Sequence, residues 1–358
     1  MRTTKRRGRV FRVGTLVGAV VLDLLFFRPA GLTNIEPLVL PSGASWSLAI
    51  AAQERHNDDL LSREGVAGTA VAIGLDGRPA VKVYLTHPQV FGIPSSLDGF
   101  SVMTEVTGAF YALGDMPEDA DYRTDNEPLD PKQSFPRPVP IGVSTGQVDV
   151  TAGTIGARVA KGEDVFALSN NHVYANKNLA KLGDRILQPG RVDGGSDADA
   201  IGTLHDFEPI RFCSPFPACP NNRIDAAIAA TTRDDLANRT PRNGYGTPKS
   251  STAKGRLGLK VQKYGRTTGH TMGQISGLNA TMNVGFRDGT ARFVGQIVIS
   301  GRGFSAPGDS GSLIVTQGDD KDGLRPVGLL FAGSESTTLA NPVDEVLKRF
   351  GITIDGGE

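Results

Sequence analysis

The stretch FSAPGDSGSLIV, residues 304–315, sets a serine between two glycines, beside an aspartate and just ahead of an apolar run. In a chain with 45 glycines it could be one more turn entering a short strand. As a chemical unit it reads differently. Gly308 allows a backbone conformation closed to larger residues, so the amides of Gly308 and Ser310 can converge on one point and hold a developing oxyanion. Asp309 then braces the loop from inside, and Ser310 becomes a candidate nucleophile. A serine hydroxyl is a poor nucleophile at neutral pH without an adjacent base, so the rest of the chain must supply one.

Five histidines are available, His56, His87, His172, His205 and His270. His172 follows VFALSNN, an apolar run ending in small polar residues, which puts its imidazole at a strand-to-loop edge where a base is both held and accessible. A third group should fix the imidazole tautomer and stabilise the imidazolium. Asp225, in NNRIDAAIAA, stands immediately before an apolar run. A charge there is costly unless paired or hydrogen-bonded, which marks it out from Asp197, Asp199 and Asp206 in loop-like surroundings.

The scaffold around these residues reads as mainly β. From Ile141 onward the chain offers short runs such as TAGTIGARVA, DVFALSNNHV, DAAIAAT, ARFVGQIVIS, GSLIVT and PVGLLFAG, separated by Gly-rich turns. Short strands at regular spacing argue for an all-β barrel or sandwich. One amphipathic helix is expected at NPVDEVLKRF, with Val343, Val346, Leu347 and Phe350 on a common face. Upstream, a helix from about Trp46 to Ser62 precedes strands at Val66–Ile73 and Ala80–Leu85. A Gly74–Gly77 turn joins those two strands, and a third follows at Val102–Val106.

Four segments follow: a leader at 1–45, a small α+β domain at 46–112, a Pro/acidic linker at 113–136 and a β domain at 137–358. The leader pairs a basic start with the apolar run Val13–Phe27 and resembles a secretory signal. That run is short for a bilayer and interrupted by Asp23, so no stable membrane span is expected. A secreted or periplasmic location follows, with an uncleaved leader acting as an anchor as the alternative. Lys+Arg and Asp+Glu both total 38, so no global field favours nucleic acid or an acidic membrane. Cys213 and Cys219 can close a local disulfide in an oxidising compartment, with two buried thiols as the alternative. No second Cys/His pair at zinc spacing accompanies them, so a zinc site is not expected there. The oxygen-rich DGGSDAD, residues 193–199, reads as a solvated turn with a calcium site as the alternative, and no cofactor is expected.

Taken in order, ALSNNHV, DAAIA and GDSGS resemble the three blocks of the chymotrypsin/trypsin-like serine peptidases. VQKYGRTTGHTMGQI, residues 261–275, is similar to a segment upstream of the serine in bacterial members, some of which carry a small N-terminal α+β domain. The resemblance covers about residues 137–351. It implies two six-stranded antiparallel β-barrels with a C-terminal helix, and peptide-bond hydrolysis by His172, Asp225 and Ser310 through an acyl-enzyme. Protein or peptide is then the substrate. A trypsin-fold binding or scaffold protein with weak or no catalysis is the rival reading. By the same analogy Phe304 floors the specificity pocket, and Ser305, Phe331, Ala332 and Gly333 line the pocket or the backbone groove. An apolar floor argues against a Lys or Arg preference. Two departures stand out: Asn-Asn precedes the histidine where Ala-Ala is usual, and Val173 replaces the cysteine that commonly follows it.

Overall fold

The computed structural model of the chain describes residues 43–113, 129–214, 219–318 and 323–358. Most of the leader and the linker residues 114–128 therefore lie outside the described residues. A helix, α1 (Gly43–Leu61), opens this part of the chain. Strands β1 (Val66–Ile73), β2 (Pro79–Leu85), β3 (Ser96–Leu97), β4 (Phe100–Val106) and β5 (Phe110–Ala112) follow. The Gly74–Gly77 turn forms as its glycines suggest, with the amide of Gly74 donating to the Arg78 carbonyl at 2.7 Å. Leu60 and Leu61 of α1 pack with Val66, Val81, Val83 and Leu85, which gives this segment its own apolar cluster.

The middle of the chain contributes β6 (Ser144–Gln147), β7 (Gly153–Thr154), β8 (Ala157–Lys161) and β9 (Asp164–Ser169). A four-residue helix, α2 (Asn171–Tyr174), comes next, then β10 (Arg185–Leu187), β11 (Ala200–Phe207), β12 (Asn221–Asn222) and β13 (Ala227–Thr231). The last part holds β14 (Lys260–Gly265), β15 (Gly269–Phe286), β16 (Gly289–Ser300), β17 (Leu313–Thr316), β18 (Pro326–Gly333), β19 (Thr337–Pro342), α3 (Val343–Phe350) and β20 (Thr353–Ile354).

Two curled sheets result, resembling the double β-barrel of trypsin-like proteins. In the first, the pairing runs β8-β9-β13-β11-β10-β6-β7, and β7 leads back into β8 across two residues, so the sheet curls on itself. Its interior is apolar, with Ile141, Ile155, Ala167, Ile186, Leu204 and Ala229 buried together. In the second, β14, β15, β16, β19, β18 and β17 pair in a closed antiparallel ring. Closure removes exposed strand edges. Helix α3 buries Val343, Val346 and Phe350 against both sheets' residues, and Leu347 packs at the margin, as its spacing predicts.

The α+β segment expected at 46–112 forms its helix and hairpin, with the helix starting at Gly43 and the third strand at Phe100. Its strands continue the second sheet. The 18-residue strand β15 outruns the barrel, and β1 pairs antiparallel along its far half, Gly68 facing Met282 and Val71 facing Leu278. β5 joins a second place, parallel to β15 and antiparallel to β18. The described residues accordingly form one compact unit. The end of the expected linker, from Asp130 onward, lies on the first sheet: the Pro131 carbonyl accepts from Ser144, and Phe135 packs against the first apolar interior.

Candidate active site

His172 sits in α2, immediately after β9, and Asp225 stands just before β13, which pairs with β9. The pairing brings the ends of the two strands together. Nδ1 of His172 lies 2.6 Å from Oδ2 of Asp225, and the His172 amide donates to Oδ1 at 3.2 Å. In the tautomer with the proton on Nδ1, the imidazole donates to the carboxylate and Nε2 keeps its lone pair. Nε2 is buried and has no hydrogen-bond partner among the described residues.

The Asn-Asn pair ahead of the histidine has a structural use. Asn170 Nδ2 donates to the Asp225 carbonyl at 2.7 Å, while Asn171 Nδ2 reaches Asn178 and the Glu208 carbonyl at 2.7 Å each. From the second barrel, Asn341 Oδ1 accepts the Asp225 amide at 3.0 Å and is itself held through Gln296. Asp225, fully buried, thus has its backbone tied at both its amide and its carbonyl. The rival acids face elsewhere: Asp197 pairs with Arg185 and Arg191, Asp206 pairs with Arg349, and Asp199 caps the turn at Ser196.

Ser310 lies in the loop before β17, which meets β7 of the other barrel. Thr154 of β7 donates its amide to the Ser310 carbonyl at 2.8 Å and its hydroxyl to the Gly308 carbonyl at 2.9 Å. Gly308 has φ of +96°, and a Cβ there would collide with the Arg266 guanidinium and the Thr267 hydroxyl, so only glycine fits. Asp309 is fully buried. Its Oδ1 accepts from the amides of Thr267 and Thr268 at 2.8 and 3.2 Å, and its Oδ2 accepts from the Thr268 hydroxyl at 2.6 Å and the Ala306 amide at 3.0 Å.

A buried cation stands beside Asp309. Lys263 Nζ stands 3.4 Å from Asp309 Oδ2, both side chains are withdrawn from solvent, and the ammonium also donates to the Gly269 carbonyl at 3.0 Å and to Thr268 Oγ1. Burial pushes the Lys263 pKa below its ordinary value, against the pull of the Asp309 carboxylate. The neighbouring Arg266 serves a different partner, donating to both oxygens of Asp193 at 2.6 and 2.7 Å. Thr154 and Lys263 are contributors that the sequence does not single out. A lysine inside an otherwise strand-like run, VQKYG, is the one local signal.

The remaining candidates surround this loop. Phe304 is buried in the second barrel with Val261, Ile299 and Leu330. Ser305 bonds Thr338 through its hydroxyl at 2.6 Å. The Phe331 side chain turns away to stack near Phe293, ring centroids 4.7 Å apart, so its carbonyl, not its ring, faces Ser310. That carbonyl accepts from Ser310 Oγ at 3.2 Å. It also accepts from the Leu113 amide at 3.4 Å, and the Leu113 carbonyl in turn accepts from the Gly308 amide at 2.9 Å. Ala332 and Gly333 pair with Ala112 and Tyr111 of β5. Cys213 and Cys219 are joined in a disulfide, Cα atoms 4.3 Å apart. Among the described residues there is no grouping of ligands able to hold a metal ion and no helix long and apolar enough to cross a membrane.

Comparison with known proteins identifies a family. Residues 163–353, more than half of the chain, match the model of peptidase family S64. Streptogrisin-A of Streptomyces griseus is 26% identical over 239 residues, which span 59% of this chain and 75% of that protein. Among solved structures, a glutamic acid-specific serine protease is similar at 22% identity, covering 60% of this chain and all of that one, with a TM-score of 0.43. Protease A of Thermobifida fusca is similar at 20% identity, covering 61% and 100%, with a TM-score of 0.43. The chain belongs to peptidase family S64 and is a trypsin-like serine endopeptidase.

Proposed function

We propose that His172, Asp225 and Ser310 form the catalytic triad of this endopeptidase, and that it cleaves peptide bonds through an acyl-enzyme. The observation that carries the reading is the 2.6 Å contact between the His172 imidazole and the Asp225 carboxylate, both out of solvent, on the barrel whose Thr154 also holds the Ser310 loop. Asp225 holds the tautomer in which Nε2 accepts a proton. Ser310 Oγ leaves the Phe331 carbonyl, gives its proton to Nε2 and attacks the substrate carbonyl, whose oxygen is taken by the amides of Gly308 and Ser310. His172 then protonates the leaving amine, and water repeats the sequence on the ester.

Asp309, with Lys263 and Thr268, keeps the donor loop in shape. A peptide or protein is the substrate, its backbone lying along Phe331–Gly333, and the buried Phe304 ring near the pocket offers no counter-charge to a Lys or Arg side chain. The disulfide between Cys213 and Cys219 supports export to an oxidising compartment. Hydrolysis of a fluorogenic peptide mixture by the purified chain, beside its Ser310→Ala and His172→Ala variants, tests the reading. Loss of turnover in both supports it, and wild-type turnover in either one overturns it.

A further inference from the structure

We propose that Thr267 is a positioning residue for the oxyanion site: its hydroxyl fixes the Pro307–Gly308 peptide so that the Gly308 amide faces the substrate carbonyl. Arg266, anchored on Asp193 of the other barrel, sets the direction of that hydroxyl. The proposal rests on the triad reading above and says what holds the donor that the reading uses.

The need for such a group follows from Gly308 itself. Glycine opens φ values on both sides of zero, so sterics alone do not choose between two orientations of the peptide before it. In a trans peptide such as this one, the N–H and the C=O point in opposite directions. One orientation aims the Gly308 amide at the oxyanion position. The other puts the Pro307 carbonyl there, where its partial negative charge would repel the tetrahedral intermediate. The Asp309 carboxylate does not decide between them, because it holds the amides of Ala306, Thr267 and Thr268, none of which belongs to that peptide. Thr154 holds the Gly308 carbonyl, which belongs to the next one.

Thr267 grips both neighbours of Gly308. Its hydroxyl donates to the Pro307 carbonyl at 2.5 Å, and its amide donates to Asp309 Oδ1 at 2.8 Å. With the Pro307 carbonyl turned to Thr267, the Gly308 amide points the opposite way, into the groove, where the Leu113 carbonyl accepts from it at 2.9 Å. Arg266 Nη1 donates to Thr267 Oγ1 at 3.3 Å, so the hydroxyl accepts on that side and its own proton is left for Pro307. Both groups press on the donor residue, since a Cβ on Gly308 would lie 2.3 Å from Arg266 Nη1 and 2.5 Å from Thr267 Oγ1.

Arg266 is itself held from the first barrel. Its side chain is 1% exposed, and Nε and Nη2 donate to the two Asp193 oxygens at 2.6 and 2.7 Å. Its amide donates to Thr154 Oγ1 at 3.1 Å. Asp193 lies beyond β10 and also accepts from the hydroxyl of Ser144, in β6, at 2.5 Å. A bidentate pair adds geometric specificity to its energy, so docking of the two barrels is transmitted through Arg266 to the hydroxyl that orients the donor.

The test compares Thr267→Val and Thr267→Ser with the wild type on a fluorogenic peptide that the wild type cleaves and on a small fluorophosphonate. Thr267→Val keeps the branched shape and loses the hydroxyl. Its kcat should fall on the order of 100-fold with KM unchanged, and the fluorophosphonate should modify Ser310 more slowly by the same factor. Thr267→Ser keeps the hydroxyl and should recover most of both rates. Replacing both members of the ion pair, Arg266→Met with Asp193→Asn, frees the hydroxyl without leaving a buried charge. This pair should lower kcat, and adding it to Thr267→Val should lower kcat no further. Wild-type kcat in Thr267→Val, or a loss that Thr267→Ser does not recover, overturns the proposal and leaves the triad in place. A loss in the ion-pair replacement that multiplies with that of Thr267→Val overturns the role of Arg266. A Ser310→Ala chain that cleaves at the wild-type rate removes the triad reading and this proposal together.

Discussion

The two halves of the site are held by different forces. On the first barrel, the Asp225 carbonyl accepts from Asn170, its amide donates to Asn341, and its carboxylate accepts from the His172 amide. On the second barrel, the loop carrying Ser310 depends on Asp309, whose partners include the buried ammonium of Lys263. The half carrying His172 thus has neutral partners around its one carboxylate, and the half carrying Ser310 has a buried ammonium beside its own. A buried neutral hydrogen bond left unmade costs about 1–3 kcal/mol, while an ion pair broken on one side leaves an uncompensated charge at about 3–5 kcal/mol.

The comparison can be broken at graded cost. Ser310→Ala removes the nucleophile, and kcat should fall about a millionfold, read from initial rates on a peptide substrate. Asp225→Asn leaves the contact but presents the wrong imidazole tautomer, and kcat should fall about ten-thousandfold with little change in Tm. Lys263→Met strands Asp309 without its cation, and a loss of about 3–5 kcal/mol in unfolding free energy is expected from denaturant titration. Asn170→Ala touches only the neutral half and should cost about 1–3 kcal/mol. If Asn170→Ala costs more than Lys263→Met, the contrast between the halves fails.

A pH profile sharpens the same contrast. The folded pKa of Lys263 lies below its unfolded value, so between the two the unfolded chain binds more protons and this group's contribution to stability rises with pH. The ion pair, however, exists only below the folded pKa. The alkaline limb of kcat should therefore fall without a matching fall in Tm, and Lys263→Met should lack that limb. A wild-type limb that tracks thermal unfolding would assign it to global instability instead.

Much of this arrangement is legible in the sequence, because its signals are local. GDSGS carries its glycine requirement in three residues, DAAIA shows a charge at the mouth of an apolar strand, and the hairpin at 66–85 has its turn glycines in place. Less legible are the parts that depend on pairing between distant strands. Nothing near Leu113 indicates that its carbonyl meets Gly308, since that contact requires β5 to enter between β15 and β18. Thr154 looks like any threonine in a Gly-rich run until β7 is laid beside the serine loop. The extension of the second sheet by β1 is hidden for the same reason: an 18-residue strand reads locally as two shorter ones. The phenylalanine at 331 shows the limit of analogy, placing its carbonyl in the groove while its ring joins a separate cluster.

The central claim is that Ser310 is the nucleophile activated by His172. Treating the purified chain with a small fluorophosphonate and mapping the adduct by peptide mass analysis tests it directly. The expected result is one adduct, on the peptide containing Ser310, absent from Ser310→Ala and strongly slowed in His172→Ala. An adduct on another residue, or labelling of Ser310→Ala at the wild-type rate, would contradict it.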